Sequence, residues 1–325
     1  MVFPYYTTAF SNCNCKEAQL VIKYLPVMKM KQQFKGSAAL VLATLIWGST
    51  FVAQSVGMDY IGPFTFQAVR CGLAALGLLP VILLFDKSFS AFCRGWKDKR
   101  LWKAGILCGI PLFLACNLQQ LGLVDTDAGK SAFLTAMYIV IVPVLGIFLK
   151  QKPSIMVPIS VALAVAGLYC LSCVGVTAIS QGDLLLIACA VMFAVQILCV
   201  DHFAADTDPL RMNAIQAAVC AVLSGVVTLF TETPKMDALL DCWFPLAYAG
   251  FLSMGAAYTL QIVGQKHIEP AAASLIMSLE SVFAVVFGCL LLKETMTGWE
   301  ITGCVLMFLA VVLSQILVPS KTKKA

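Results

Sequence analysis

The sequence predicts an all-α membrane protein: ten transmembrane helices arranged as two inverted five-helix repeats. Three observations carry that expectation. Apolar residues make up 60% of the chain and charged ones only 12%. Apolar runs of about 20 residues, enough to cross a hydrocarbon core of roughly 30 Å, recur along most of its length. Short stretches of text also recur between the halves. Leu118-Gln119-Gln120-Leu121-Gly122 matches Leu260-Gln261-Ile262-Val263-Gly264 at an offset of 142. Ala128, Ser131, Leu149 and Lys150 meet Ala271, Ser274, Leu292 and Lys293 at 143, and Gly36, Pro63 and Ala68 meet Gly182, Pro209 and Ala214 at 146. Each copy holds an odd number of spans, so the two must cross the bilayer in opposite senses. A mean hydropathy of +0.90 excludes an ordinary soluble domain, whose composition is about one quarter charged.

The spans are expected at 36–57, 62–85, 102–124, 128–149, 153–173, 182–203, 209–231, 243–265, 269–292 and 298–318. Unpaired backbone groups are not tolerated in lipid, and the alternating pattern of a barrel is absent, so each must be a helix. The first span follows the basic stretch Met28-Lys29-Met30-Lys31 and carries Trp47, Ser49, Thr50 and Gln54; the second carries Arg70. The third holds Asn117, Gln119 and Gln120, the fourth Thr135 and Tyr138, and the fifth ends near Cys170 and Cys173. The sixth holds Gln196, the seventh Asn213 and Gln216, the eighth Tyr258 and Gln261, and the ninth Ser278, Glu280 and Ser281. Interior prolines (Pro80, Pro111, Pro143, Pro158) suit kinks around a cavity in a membrane bundle. The longest connection, 86–101, is basic and carries Phe89, Phe92 and Trp96, which suits a short helix lying at the interface.

Lysine and arginine set the orientation. With the N-terminus inside, eighteen fall on the inner side and three (Lys130, Lys235, Lys293) on the outer side, with Arg70 inside a span. Both termini are therefore expected in the cytoplasm. The net charge of +5 is then a topology signal, and the bilayer, with no nucleic acid, is the expected macromolecular partner. The expected divisions are a cytoplasmic segment 1–35, a first repeat 36–173, a second repeat 182–318 and a basic tail 319–325. Residues 1–27 lack a signal-peptide pattern and read as an over-extended start or a disordered tail.

No catalytic set, metal site or cofactor is expected. Most of the fourteen cysteines fall inside spans, where Cys behaves as a small apolar residue. One Cys170–Cys173 pair with only two histidines, His202 and His267, makes a poor zinc site. Gly129-Lys130-Ser131 imitates the tail of a phosphate loop but lacks the earlier glycine, since Val124 stands there.

Ionisable groups inside spans are costly and so are functional candidates. Glu280 lies near mid-span and Arg70 about eight residues into its helix. They could pair with each other, Glu280 could bind a coupling proton, or each could brace its neighbours. The neutral polar residues Trp47, Gln54, Asn117, Gln119, Gln120, Tyr138, Gln196, Tyr258, Gln261 and Ser278 form the candidate substrate-binding set. Such groups also glue helices together, yet they concentrate on spans that are repeat partners, which favours a shared cavity. Gln119 and Gln261, at matched positions, are its leading pair.

Ile46-Trp47-Gly48-Ser49-Thr50-Phe51 followed by Pro63, Phe66 and Arg70 resembles the drug/metabolite transporter superfamily, EamA type. So do Gly182-Asp183, Ala271-Ala272-Ala273-Ser274-Leu275, Ser278-Leu279-Glu280-Ser281-Val282-Phe283 and Leu292-Lys293-Glu294 in the second half. Two departures stand out: Ser281 where the family often has proline, and Phe193 where it often has tryptophan. The resemblance implies an exporter of small organic metabolites (amino acids, nucleosides, drugs or toxic metabolites) working by alternating access. It further implies the inner membrane of a bacterial cell. Ten spans can enclose a cavity within one chain, so a monomer is expected, with protons as the candidate coupling ion. A passive channel or facilitator is the alternative, and a polytopic sensor or enzyme a more distant one.

Overall fold

A computed structural model describes residues 15–126, 128–150, 156–172, 180–292 and 297–317. Residues 1–14, most of the expected hinge between repeats, Cys173, Lys293, Glu294 and the basic tail lie outside the described residues. Among the described residues there is no strand. The helices are α1 (Cys15–Gly57), α2 (Pro63–Asp86), α3 (Phe89–Gly95), α4 (Lys99–Gly122), α5 (Ala128–Ala136) and α6 (Tyr138–Phe148). They continue with α7 (Met156–Ser172), α8 (Gln181–Ala204), α9 (Pro209–Thr231), α10 (Met236–Asp241) and α11 (Trp243–Ala247). After a π-helical stretch (Tyr248–Ala257) come α12 (Tyr258–Gln265), α13 (Pro270–Met277), α14 (Leu279–Leu292) and α15 (Gly298–Leu317).

Eight segments are long and apolar enough to cross a membrane: Met30–Gly57, Pro63–Asp86, Lys99–Gly122, Ala128–Phe148, Gln181–Ala204, Pro209–Thr231, Trp243–Gln265 and Pro270–Leu291. Two further apolar helices, Met156–Leu171 and Gly298–Ser314, are shorter. The chain is thus a multi-pass α-helical membrane protein. The first helix is described from Cys15, upstream of the span boundary expected at 36.

Helix ends carry their own chemistry. Prolines open α2, α9 and α13, where the missing N–H has no helical partner to lose. Ser180 and Asp183 form a reciprocal capping box at the start of α8. The Glu232 carboxylate, reaching from the end of α9, accepts from Phe64 N (3.0 Å), Thr65 N (2.8 Å) and Thr65 Oγ1 (2.6 Å). It satisfies the exposed amides at the start of α2 and complements that end of the helix dipole.

The bundle is apolar outside and partly polar inside. Leu84, Phe85, Leu229 and Phe230 are exposed, as suits a surface facing hydrocarbon, while Gln67, Arg70, Gln120, Gln196, Asn213 and Gln216 are buried. α2 packs on α9, α4 on α8 and α9, α1 on α14, and α7 on α15. Small residues permit the closest seams: a Cβ added at Gly48 of α1 would lie 2.4 Å from Phe283 Cβ of α14. Beside the basic 86–101 connection, Arg211 pairs with Asp86, lies 3.6 Å from Asp208, and stands over the Trp96 ring at 5.8 Å. Nearby, Lys266 Nζ donates to Thr207 O at 2.7 Å. Burial pulls the Lys266 ammonium below its ordinary pKa, with Asp208 and Asp206 opposing the shift.

Candidate functional site

Two helical breaks build the centre of the molecule. The Ala128–Phe148 span is interrupted at Met137, where Val140 N bonds Met137 O (3.0 Å), and the Pro270–Leu291 span at Ser278, where Ser281 N bonds Ser278 O (3.1 Å). These i→i+3 bonds mark a tightened turn in the middle of each span. Tyr138 directly follows the first break and Glu280 lies two residues after the second, and Tyr138 OH donates to Glu280 Oε1 at 3.0 Å. The Ser278 hydroxyl is used within the break, donating to Leu275 O at 2.7 Å.

Arg70 is held from two sides. Its Nε donates to Gln67 Oε1 at 2.7 Å, its Nη1 donates to Gln54 Oε1, and its guanidinium lies 5.9 Å from the Phe66 ring centroid. Gln67 in turn donates to Cys116 O (3.0 Å) and Gln120 Oε1 (3.1 Å), and Gln120 donates to Gln54 O (3.2 Å). Three glutamines therefore fix the cation and tie α1, α2 and α4 together. Among the described residues no ion pair joins Arg70 to Glu280.

Between these groups lies a small cavity of about 30 Å³, lined by Trp47, Thr50, Phe51, Gln54, Arg70, Gln119, Tyr138, Phe193, Ile197, Ser253, Tyr258, Gln261, Met277 and Glu280. Trp47 and Tyr258 meet edge to face at 5.0 Å, and Tyr138 and Phe193 do so at 6.5 Å. Gln119 Nε2 donates to Thr135 Oγ1 (3.3 Å), and Gln261 Nε2 to Gln196 Oε1 (3.0 Å). Trp47 Nε1 and Gln261 Oε1 are buried with no hydrogen-bond partner. The wall thus offers one free donor and one free acceptor between aromatic faces, beside a cation and a carboxyl group.

Eight residues of the sequence-derived set line this cavity: Trp47, Gln54, Arg70, Gln119, Tyr138, Tyr258, Gln261 and Glu280. Four others stand behind it or elsewhere. Gln120 and Gln196 support Gln54 and Gln261, Ser278 sits in the break of the Pro270–Leu291 span, and Asn117 joins α4 to α9 by donating to Ser224 Oγ at 2.8 Å. Sequence reasoning missed Thr50, Phe51, Phe193, Ile197, Ser253 and Met277 as lining residues. Four of them (Phe51, Phe193, Ile197 and Met277) are apolar walls with no polar signal. Ser253 is five residues before Tyr258, a spacing that shares a face in a π-helix and not in an α-helix.

An α-helical membrane bundle with a mid-span cavity of aromatic, amide and charged side chains defines a solute-handling membrane protein. The model of the EamA-like transporter family matches residues 34–173 and 180–315, and the chain belongs to that family. It is similar to an uncharacterized transporter of Archaeoglobus fulgidus, at 31% identity over 84% of this chain and 83% of the relative. It is also similar to the uncharacterized transporter YoaV of Bacillus subtilis, at 24% identity over 82% and 92% of the two chains. A solved crystal structure shares the fold with a TM-score of 0.70 at 16% identity, covering 87% of this chain and 96% of that one. The protein is a membrane transporter; its family and relatives are named for transport rather than for catalysis.

Proposed function

We propose that the protein is a secondary exporter of small organic metabolites, a monomer in the inner membrane of a bacterial cell. Ten spans form two inverted repeats, with both termini cytoplasmic, and one repeat rocks against the other to expose the central cavity to each side in turn. The observation that carries this reading is the cavity itself. It lies at mid-span, and its wall draws on α1, α2, α4 and α6 from one half and α8, α12, α13 and α14 from the other.

The substrate class follows from the wall. Free Trp47 Nε1 and Gln261 Oε1 suit a solute with an acceptor and a donor. The rings of Trp47, Phe51, Tyr138, Phe193 and Tyr258 suit an apolar or aromatic body. Amino acids, nucleosides and amphipathic drugs all meet that description. Glu280 is the proposed coupling group: a carboxyl at mid-span, 5% exposed and bonded to Tyr138, can carry a proton from one side to the other. The test is metabolite flux in reconstituted vesicles with and without a pH gradient. Saturable flux that follows the gradient, and loses that dependence in Glu280→Gln, supports the reading. Flux linear in solute concentration favours a passive pathway.

A further inference from the structure

The eighth span is not a plain α-helix, because Tyr248–Ala257 is π-helical over ten residues. Most π geometry occurs as single-turn insertions, frequently at functional sites. At the downstream boundary the Tyr258 amide bonds Ser253 O, five residues back. The Met254 carbonyl thereby loses the amide that an α-helix would give it.

Asn213 of α9 is fully buried opposite this gap. Its Nδ2 lies 2.9 Å from Met254 O, 2.8 Å from Gly255 O and 2.9 Å from Thr259 Oγ1. Thr259 Oγ1 itself donates to Gly255 O at 2.7 Å. Gln216 Nε2 donates to Asn213 Oδ1 at 2.8 Å, which fixes which way the Asn213 amide faces. One side chain on a neighbouring helix therefore bonds the carbonyls at the downstream end of the π stretch.

The register matters for the cavity. Relaxing one inserted residue back to α geometry turns everything downstream by about 100°. Upstream, Tyr248 is anchored to Ser49 Oγ at 2.6 Å; downstream stand Tyr258 and Gln261, both cavity walls. The upstream anchor stays while the wall residues turn.

We propose that Asn213 is a positioning residue for transport: it holds the π register of the eighth span and thereby aims Tyr258 and Gln261 into the cavity. Asn213 is not itself part of the wall. The proposal rests on the cavity and its geometry and needs no knowledge of the solute, so it can fail or stand apart from the transport reading.

The experiment places Gln261→Cys in the full-length protein in proteoliposomes and exposes it to a charged, membrane-impermeant methanethiosulfonate. Modification at position 261 is read by peptide mass spectrometry, which separates it from the native cysteines. The parent is expected to label. Adding Asn213→Leu, or the milder Asn213→Ala, should slow labelling by about tenfold, the effect of losing two inter-helix hydrogen bonds. Deleting Leu252, an exposed residue of the π stretch, removes the extra residue that Asn213 accommodates. In the Asn213→Leu background that deletion should restore both the melting temperature and fast labelling, because an α-helix one residue shorter again turns Tyr258 and Gln261 toward the cavity, a joint rescue that a merely structural residue does not produce. Unchanged labelling in both Asn213 variants, a deletion that fails to recover both the melting temperature and labelling, or an unreactive parent would each overturn the proposal.

Discussion

Replacing Tyr138 by Phe removes one hydroxyl and leaves the ring, so the perturbation is confined to the 3.0 Å bond with Glu280. The partners are 3% and 5% exposed, and water is poorly placed to substitute for the lost donor. A hydrogen bond to a charged acceptor contributes about 1.5–3 kcal/mol and one to a neutral acceptor about 0.5–1.5. Side-chain bonds between membrane helices average about 0.6 kcal/mol and reach about 1.7, because the unfolded-in-membrane chain also finds partners. The Tyr138–Glu280 bond joins residues one and two positions beyond the two helix breaks, so alternative partners in the folded bundle are few. A coupling of about 1–2 kcal/mol follows. The assay is a double-mutant cycle of Tyr138→Phe with Glu280→Met, an apolar side chain of similar length, read by denaturation in detergent micelles. Additivity within about 0.3–0.5 kcal/mol would refute the bond as an energetic link between the two spans.

Two further outcomes concern α1. Gly48→Val drives a Cβ toward Phe283 Cβ and the backbone of Ala284, so overpacking should lower stability by about 1–3 kcal/mol, read as a melting shift in detergent. A variant as stable as the parent would place slack in the α1–α14 seam. Trp47→Phe preserves an edge-to-face contact with Tyr258 and removes the unpartnered Nε1. Stability should change by less than about 1.5 kcal/mol, while the apparent affinity for a hydrogen-bonding solute falls up to about tenfold. Equal losses in both measurements would mean that the indole serves packing alone.

Much of the fold was legible because hydrophobic length is a direct reading of bilayer thickness. Segments such as 62–85 and 209–231 fall within a few residues of Pro63–Asp86 and Pro209–Thr231. The continuation of α1 upstream of residue 36 was not legible, since a stretch broken by Lys16, Lys23, Lys29, Lys31 and Lys35 carries no membrane-span signal. Polar residues within apolar runs marked much of the cavity, because a buried amide or charge in a bundle needs a reason. Which of them face solute and which face other side chains was hidden. Gln120 and Gln119 are adjacent in sequence, yet one supports Gln54 and the other lines the wall. The breaks at Met137 and Ser278 carry neither Pro nor Gly and give no local warning. The π stretch was equally silent, because its stabilising partner, Asn213, lies on another helix.

The central claim is that a solute moves through one cavity by alternating access, with Glu280 carrying the coupling proton. Its most direct test is initial-rate flux of a solute identified by vesicle screening, measured across concentrations and with imposed pH gradients, for the parent and Glu280→Gln. Saturation is expected in both proteins, with acceleration by the gradient in the parent alone. Flux that rises linearly with concentration, or a gradient response unchanged by Glu280→Gln, would contradict it.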